Sequence, residues 1–177
     1  EEKKMINIIK KIKMKFASPS ERAMLLKKNG MHLGENCEIF PGVKFGTEPY
    51  LIKIGNHVRI TADVRFITHD GGVWVLRQLK DKEDLDKFGP ITIGNNVMIG
   101  TNTILMPNTS IGDNCVIGAG SVVTKPIPSN SVAAGVPARV IGSIETYYKK
   151  NKDLFMYTKN MKSKQKKQIL LEVYKDK

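Results

Sequence analysis

The chain has 177 residues, of which 41% are hydrophobic, 29 are Lys or Arg, 17 are Asp or Glu and only two are Cys. That is enough for one domain with a real core, too apolar for wholesale disorder, and free of the run of about 18 apolar residues that a membrane-spanning helix needs. The net charge of +12 sits at the two ends: residues 1–29 carry 9 basic and 3 acidic side chains, 30–142 carry 10 of each and 143–177 carry 10 and 4, which argues against nucleic acid as a partner, because a reading surface concentrates its basic residues on the folded part.

The first predicted element spans residues 5–16. Met5, Ile8, Ile9, Ile12 and Phe16 recur at helical spacing, with Lys10, Lys11, Lys13 and Lys15 largely around the other face. Such a helix is expected to pack on the rest of the molecule or on a neighbouring copy; a basic amphipathic helix can also lie on an anionic membrane surface. The N-terminal pattern is not that of a cleaved secretory leader, so a cytoplasmic location is expected, peripheral to the inner face of the membrane if the helix engages lipid. Ala17 to Ser20 make a break, and a second short helix runs from Ser20 to Lys28, ended by Asn29-Gly30.

From Leu33 onward an aliphatic or aromatic residue recurs every sixth position: Leu33, Ile39 and Phe45, then Ile54, Ile60 and Phe66. After a gap it resumes as Ile93, Ile99, Leu105, Ile111, Ile117 and Val123, six repeats without a slip over residues 93–128. Four positions after most of these stands a small or β-branched residue, among them Cys37, Val58, Val97, Thr103 and Cys115. The small residue and the next aliphatic are two apart, so they share one face of a short strand. Gly-Asn or Gly-Asp often follows, which predicts a sharp corner. Three strands and three corners make an 18-residue coil, and coils stack through parallel ladders about 4.8 Å apart. Cys37 and Cys115 fall at inward small positions and are expected to be inert packing residues in a reducing compartment. Beyond residue 142 a basic tail, 143–177, is predicted helical around Tyr147, Leu154 and Tyr157 and again around Ile169, Leu170, Val173 and Tyr174.

The stretch "ITIGNNVMIGTNTILMPNTSIGDNCVIGAGSVVTKPIPSNSVAAGVPARVI" resembles the hexapeptide-repeat acyltransferases, in particular the galactoside/maltose O-acetyltransferase branch and its relatives in capsular polysaccharide biosynthesis. The resemblance covers residues 30–142. It implies an all-β solenoid, a left-handed parallel β-helix of about five coils, with short flanking N- and C-terminal helices (1–29 and 143–177) and one long loop insertion at 71–92. Handedness comes from the resemblance alone, since parallel crossovers are otherwise right-handed. The family is usually homotrimeric, with sites between neighbouring prisms.

The repeat fails between Phe66 and Ile91, and a long loop inside so regular a pattern calls for a reason of its own. His69 stands at its base, where the resemblance places the catalytic histidine. Acyl transfer from a thioester to an alcohol needs a base near neutral pH, and imidazole suits that task; otherwise His69 is a turn residue bonded to local backbone. Compared with the galactoside branch, His69 arrives about two residues sooner after the last regular coil. Asp70 is a candidate to orient the imidazole, or a substrate contact, or an ordinary turn aspartate. His57 takes a corner position and is expected to be exposed, and His32 has no assigned role. A zinc site is not expected, because the three histidines lack the close spacing one requires.

The resemblance further implies coenzyme A binding by the last coils, with the pantetheine arm near Thr101 and Ala119, and Thr124, Lys125 and Arg139 toward the nucleotide. Basic residues there compensate phosphate charge, although Lys125 also reads as an ordinary solvated lysine. The branch's second basic residue three after Arg139 is Gly142 here, and its Trp in "NNVWIG" is Met98. On the acceptor side the irregular segment Phe45 to Lys53 is expected to line the pocket. Trp74 and Arg77 suit sugar recognition, with Trp74 equally able to anchor the loop against a neighbouring copy. The expected activity is acetyl-CoA-dependent O-acetylation of a saccharide or polysaccharide precursor by direct transfer, with no metal and no acyl-enzyme. The alternatives are an amino-sugar N-acetyltransferase of the same fold and a non-catalytic β-helix module.

Overall fold

The computed structural model describes residues 13–175; the basic helix expected over residues 5–16 lies largely outside them, and residues 13–16 are helical. Among the described residues thirteen short strands, numbered in chain order, build three sheets. The first contains β1 (His32–Leu33), β3 (Ile52–Ile54), β6 (Ile91–Ile93) and β9 (Thr109–Ile111). The second contains β2 (Glu38–Ile39), β4 (Val58–Ile60), β7 (Val97–Ile99), β10 (Cys115–Ile117), β12 (Ser131–Gly135) and β13 (Ala138–Ser143). The third contains β5 (Arg65–Phe66), β8 (Ile104–Leu105) and β11 (Val122–Val123). From β3 to β11 consecutive strands visit the three sheets in turn, and each pairs in parallel with its counterpart one circuit later.

The predicted aliphatic positions point inward. Leu33, Ile39, Ile54, Ile60, Phe66, Ile93, Ile99, Leu105, Ile111, Ile117 and Val123 are all buried, and the half-buried Phe45 stacks on Phe66 with ring centroids 5.1 Å apart. The small positions are buried as well, and their polar atoms bond carbonyls: Thr103 donates to the Gly100 carbonyl at 2.7 Å and Ser121 to that of Gly118 at 2.6 Å. Cys37 and Cys115 lie in the same row, and burial pushes both thiols up.

At the corners the division of labour differs from the sequence expectation. Except at Gly46, whose own φ is +70°, the glycine directly after the aliphatic is not the residue that turns. The left-handed backbone falls two places later, at Asn36, His57, Asn96, Asn102 and Asn114, types whose short polar side chains suit that region. At the corner between the first and second sheets they form a ladder: His57 Nδ1 lies 2.9 Å from Asn96 Oδ1, Asn96 Nδ2 donates to Asn114 at 2.8 Å and Asn114 Nδ2 to Asn130 at 3.0 Å.

The spacing of stacked partners measures each circuit. Asn56 is 21 residues from Glu35, Asn95 is 39 from Asn56, Asp113 is 18 from Asn95 and Ser129 is 16 from Asp113. Only the third has the regular length. The first is lengthened by the irregular segment after Phe45, which contains a 3-10 turn at Pro49–Leu51, and the second by the loop after Phe66.

Both ends of the stack are covered. Helix α1 (Pro19–Lys28) packs against β1 and β2 with Ala23 buried; Ser18 and Glu21 close its N-terminus as a reciprocal capping box. At the other end the parallel pattern stops. β12 and β13 form an antiparallel hairpin rather than a further circuit, turning at Gly135, whose φ is +102°. Helix α2 (Val73–Leu79) lies in the loop. The tail contributes α3 (Ile144–Asn151), capped by Ser143, a 3-10 turn at Lys152–Leu154 and α4 (Ser163–Val173); Tyr157 lies outside these helices.

Candidate active site

The loop leaves the third sheet after Phe66 and is closed at its base like a zip. Asp70 N–H donates to the Lys87 carbonyl at 2.8 Å, Gly89 N–H donates to Thr68 at 2.9 Å, and His69 bridges Phe88 antiparallel. The last inward residue before departure is Thr68, fully buried. His69 is therefore the first side chain outside the core, held by the core on one side and the loop stem on the other.

One circuit below, the irregular segment brings Thr47 and Glu48 beneath this stem. Glu48 Oε2 accepts the Thr68 hydroxyl at 2.7 Å, Oε1 accepts the Thr47 hydroxyl at 2.5 Å, and Oε2 lies 3.4 Å from His69 Nδ1. The Thr47 and Thr68 hydroxyls hold the Glu48 carboxyl below the usual carboxylate range, with a smaller contribution from His69. The Glu48 side chain is 14% exposed and that of His69 50%, so the carboxylate is sheltered while the ring keeps an open side.

Asp70 does not meet the imidazole. Its Oδ2 accepts Lys87 Nζ at 2.7 Å and its Oδ1 accepts the Gly72 N–H at 3.0 Å; the Lys87 contact leads in holding its carboxyl below the usual range. The carboxylate beside the ring is Glu48, a residue that sequence reasoning left unnamed within its acceptor-lining segment. Its signal was present: the stretch from Phe45 to Ile54 breaks the six-residue period one circuit before the loop does.

His69 and Asp70 line a pocket of about 330 Å³ together with Glu48, Trp74, Arg77 and Lys87. Trp74 is 74% exposed on α2. Arg77 is committed within the loop, donating to the Leu85 carbonyl at 2.8 Å and to Asp86 at 2.5 Å. The residues expected at the coenzyme fall elsewhere. Thr101 and Ala119 stack at the corner between the second and third sheets, where the Gly120 N–H donates to the Thr101 carbonyl at 2.8 Å. Thr124 and Lys125, both exposed, follow β11 at the far end of the third sheet, the corner type from which His69 also departs. Arg139 is exposed on β13. Among the described residues no cluster of three His, Cys, Asp or Glu is arranged to hold a metal, and no helix is long and apolar enough to cross a membrane.

Comparison with known proteins places these features in a family. The profile described as "Bacterial transferase hexapeptide (six repeats)" matches residues 90–125. Protein CapG of Staphylococcus aureus is 45% identical over 170 residues, covering 95% of this chain and 98% of that protein. Galactoside O-acetyltransferase of Escherichia coli K12 is 36% identical over 166 residues, covering 81% and 78%. A solved structure of galactoside acetyltransferase in complex with coenzyme A superposes with a TM-score of 0.57 at 34% identity, covering 91% of this chain and 88% of that one.

Proposed function

The chain belongs to the bacterial hexapeptide-repeat transferases, and from that membership we propose that it is an acetyl-CoA-dependent O-acetyltransferase acting on a hydroxyl of a saccharide, with His69 as general base. The observation that carries this reading is the placing of His69: anchored between a fully buried Thr68 and the loop stem, yet half exposed at the wall of a pocket. The acetyl donor and the saccharide class are supported by the galactoside acetyltransferases that the chain resembles.

In this mechanism His69 Nε2 accepts the proton of the acceptor hydroxyl as its oxygen attacks the thioester carbonyl. The tetrahedral intermediate then expels the coenzyme A thiolate, which takes the proton back from the imidazolium. Direct transfer is supported on the cysteine side: both thiols are buried and pushed up, which disfavours the thiolate that a cysteine acyl-enzyme would need. Thr101 and Ala119 flank the pantetheine arm, and Lys125, Thr124 and Arg139 meet the phosphates. Trp74 offers an apolar ring face to the sugar. The accompanying architecture is a left-handed β-helix of about five coils assembled as a homotrimer.

Acetyl-CoA-dependent thiol release over a panel of hydroxyl sugars and amino sugars tests the reading. Release with hydroxyl acceptors is expected; release with amino sugars alone would make the protein an N-acetyltransferase. His69→Ala is expected to lower kcat by roughly 10²–10⁴-fold while coenzyme A binding persists. Turnover equal to the parent's in that variant would reject His69 as the base.

A further inference from the structure

We propose that Glu48 is the positioning carboxylate of this site, accepting the Nδ1–H of His69 so that Nε2 is left unprotonated and turned toward the acceptor hydroxyl. The inference rests on the reading of His69 as the base, and it assigns to Glu48 the role for which the sequence offered Asp70.

Neutral imidazole carries its proton on either nitrogen, and only the tautomer with Nε2 bare can take a proton there. A carboxylate at Nδ1 selects that tautomer, because it can accept a hydrogen bond and cannot donate one. Glu48 Oε2 stands 3.4 Å from His69 Nδ1, the long side of a hydrogen bond, as catalytic contacts often are before substrate tightens them.

Three features separate this contact from a chance surface pair. The Glu48 carboxylate is fixed at both oxygens by threonine hydroxyls, one of them from the fully buried Thr68 that directly precedes His69. The carboxylate is also sheltered at 14% exposure, whereas those of Asp70 and Asp86, in the pairs with Lys87 and Arg77, are 41% and 56% exposed. Third, the carboxylate is not drawn off as a helix cap: Glu48 precedes the 3-10 turn Pro49–Leu51 but makes no side-chain cap bond to it. The irregular spacing of this circuit sets Glu48 at the base of the loop, 21 residues before His69.

The test uses the full-length protein and four variants. Glu48→Gln keeps the shape, but its amide donates as readily as it accepts and imposes no tautomer; Glu48→Ala removes the group. Thr68→Val is close to isosteric and releases Oε2, and His69→Ala controls for the base. Each is checked for folding by its thermal transition and for coenzyme A affinity. Expected for both Glu48 variants is a fall in kcat of roughly 10- to 10³-fold with little change in acceptor KM, and a smaller fall for Thr68→Val. In ¹⁵N-histidine spectra the His69 ring, assigned by its loss in His69→Ala, should change from a single Nδ1–H tautomer to a mixture in Glu48→Ala. Parent-like kcat in both Glu48 variants overturns the proposal while leaving the base intact. So does a loss confined to acceptor KM with the ring signature unchanged, which would make Glu48 a substrate contact. An active His69→Ala enzyme would instead bring down the base assignment.

Discussion

At Gly100 a methyl group has no room. A Cβ built there would lie 2.4 Å from the Ala119 nitrogen and 2.7 Å from its Cα, and at Gly94 and Gly112 the same construction meets backbone of the next circuit at 2.8 and 2.5 Å. These glycines serve close approach between stacked corners, while the asparagines two residues on supply the turn. Gly120 is the converse case: its φ is +68°, nothing lies within 4 Å of its missing Cβ, and it holds the corner position that Asn102 and Asn114 hold elsewhere. Gly100→Ala is therefore expected to cost about 1–3 kcal/mol through overpacking, whereas Gly120→Asn should cost clearly less, because nothing crowds the new side chain and Asn is the type that best tolerates a left-handed φ. Thermal unfolding at one fixed protomer concentration compares them. Equal stability for Gly100→Ala and the parent would show that the corners can spread, and would remove close approach as the reason for glycine.

The loop is the element on which the site depends, and little of it is packed. Helix α2 buries only Val73 and leaves Trp74, Val75 and Leu79 exposed. Its far side is held by Arg77 to Leu85 and Asp86, and its near stem by Asp70 to Lys87. Arg77→Ala should thus leave global stability almost unchanged, since partly exposed ion pairs contribute about 1 kcal/mol at most. It should still speed proteolysis within residues 80–86 and raise the acceptor KM. If the cleavage rate matches the parent's, Arg77 is not what holds the loop. The Asp70 contact also has a pH signature. Its carboxyl is held below the ordinary 3.8 by Lys87, so its contribution is complete above that value and is lost only as pH falls through the lower folded value. Across neutral pH the stem should stay closed. The sequence showed the regular circuits because a six-residue period needs only local spacing, and it showed the loop as a failure of that period. It hid α2, whose N-terminus has Gly72 in place of a capping side chain. It hid the Glu48–His69 contact for another reason: the two residues meet only because both irregular circuits stack at one corner, and no local pattern links positions 21 apart.

Taken whole, a neutral stack of circuits carries basic segments at both ends, and the residues of the proposed reaction are spread over its corners rather than gathered in one place. His69 leaves from the corner after the third sheet, whereas Thr101 and Ala119 stand at the corner before it. A donor lying along the second corner of one copy reaches a base on the first corner most simply if a neighbouring copy supplies that base, as the proposed homotrimer would allow. That arrangement predicts complementation. One chain carries His69→Ala and keeps its donor corner; the other carries Ala119→Trp, which blocks that corner and keeps His69. Each alone should be nearly inactive. Mixed by co-expression at equal amounts, the two should restore about a quarter of the parent's sites, because a site is whole only where an intact base faces an intact donor corner across an interface. Coenzyme A binding by the His69→Ala chain alone should stay at the parent's level. Activity of the mixture no greater than the sum of the two variants would place base and donor within one chain, and the shared site would be wrong even if the trimer is right.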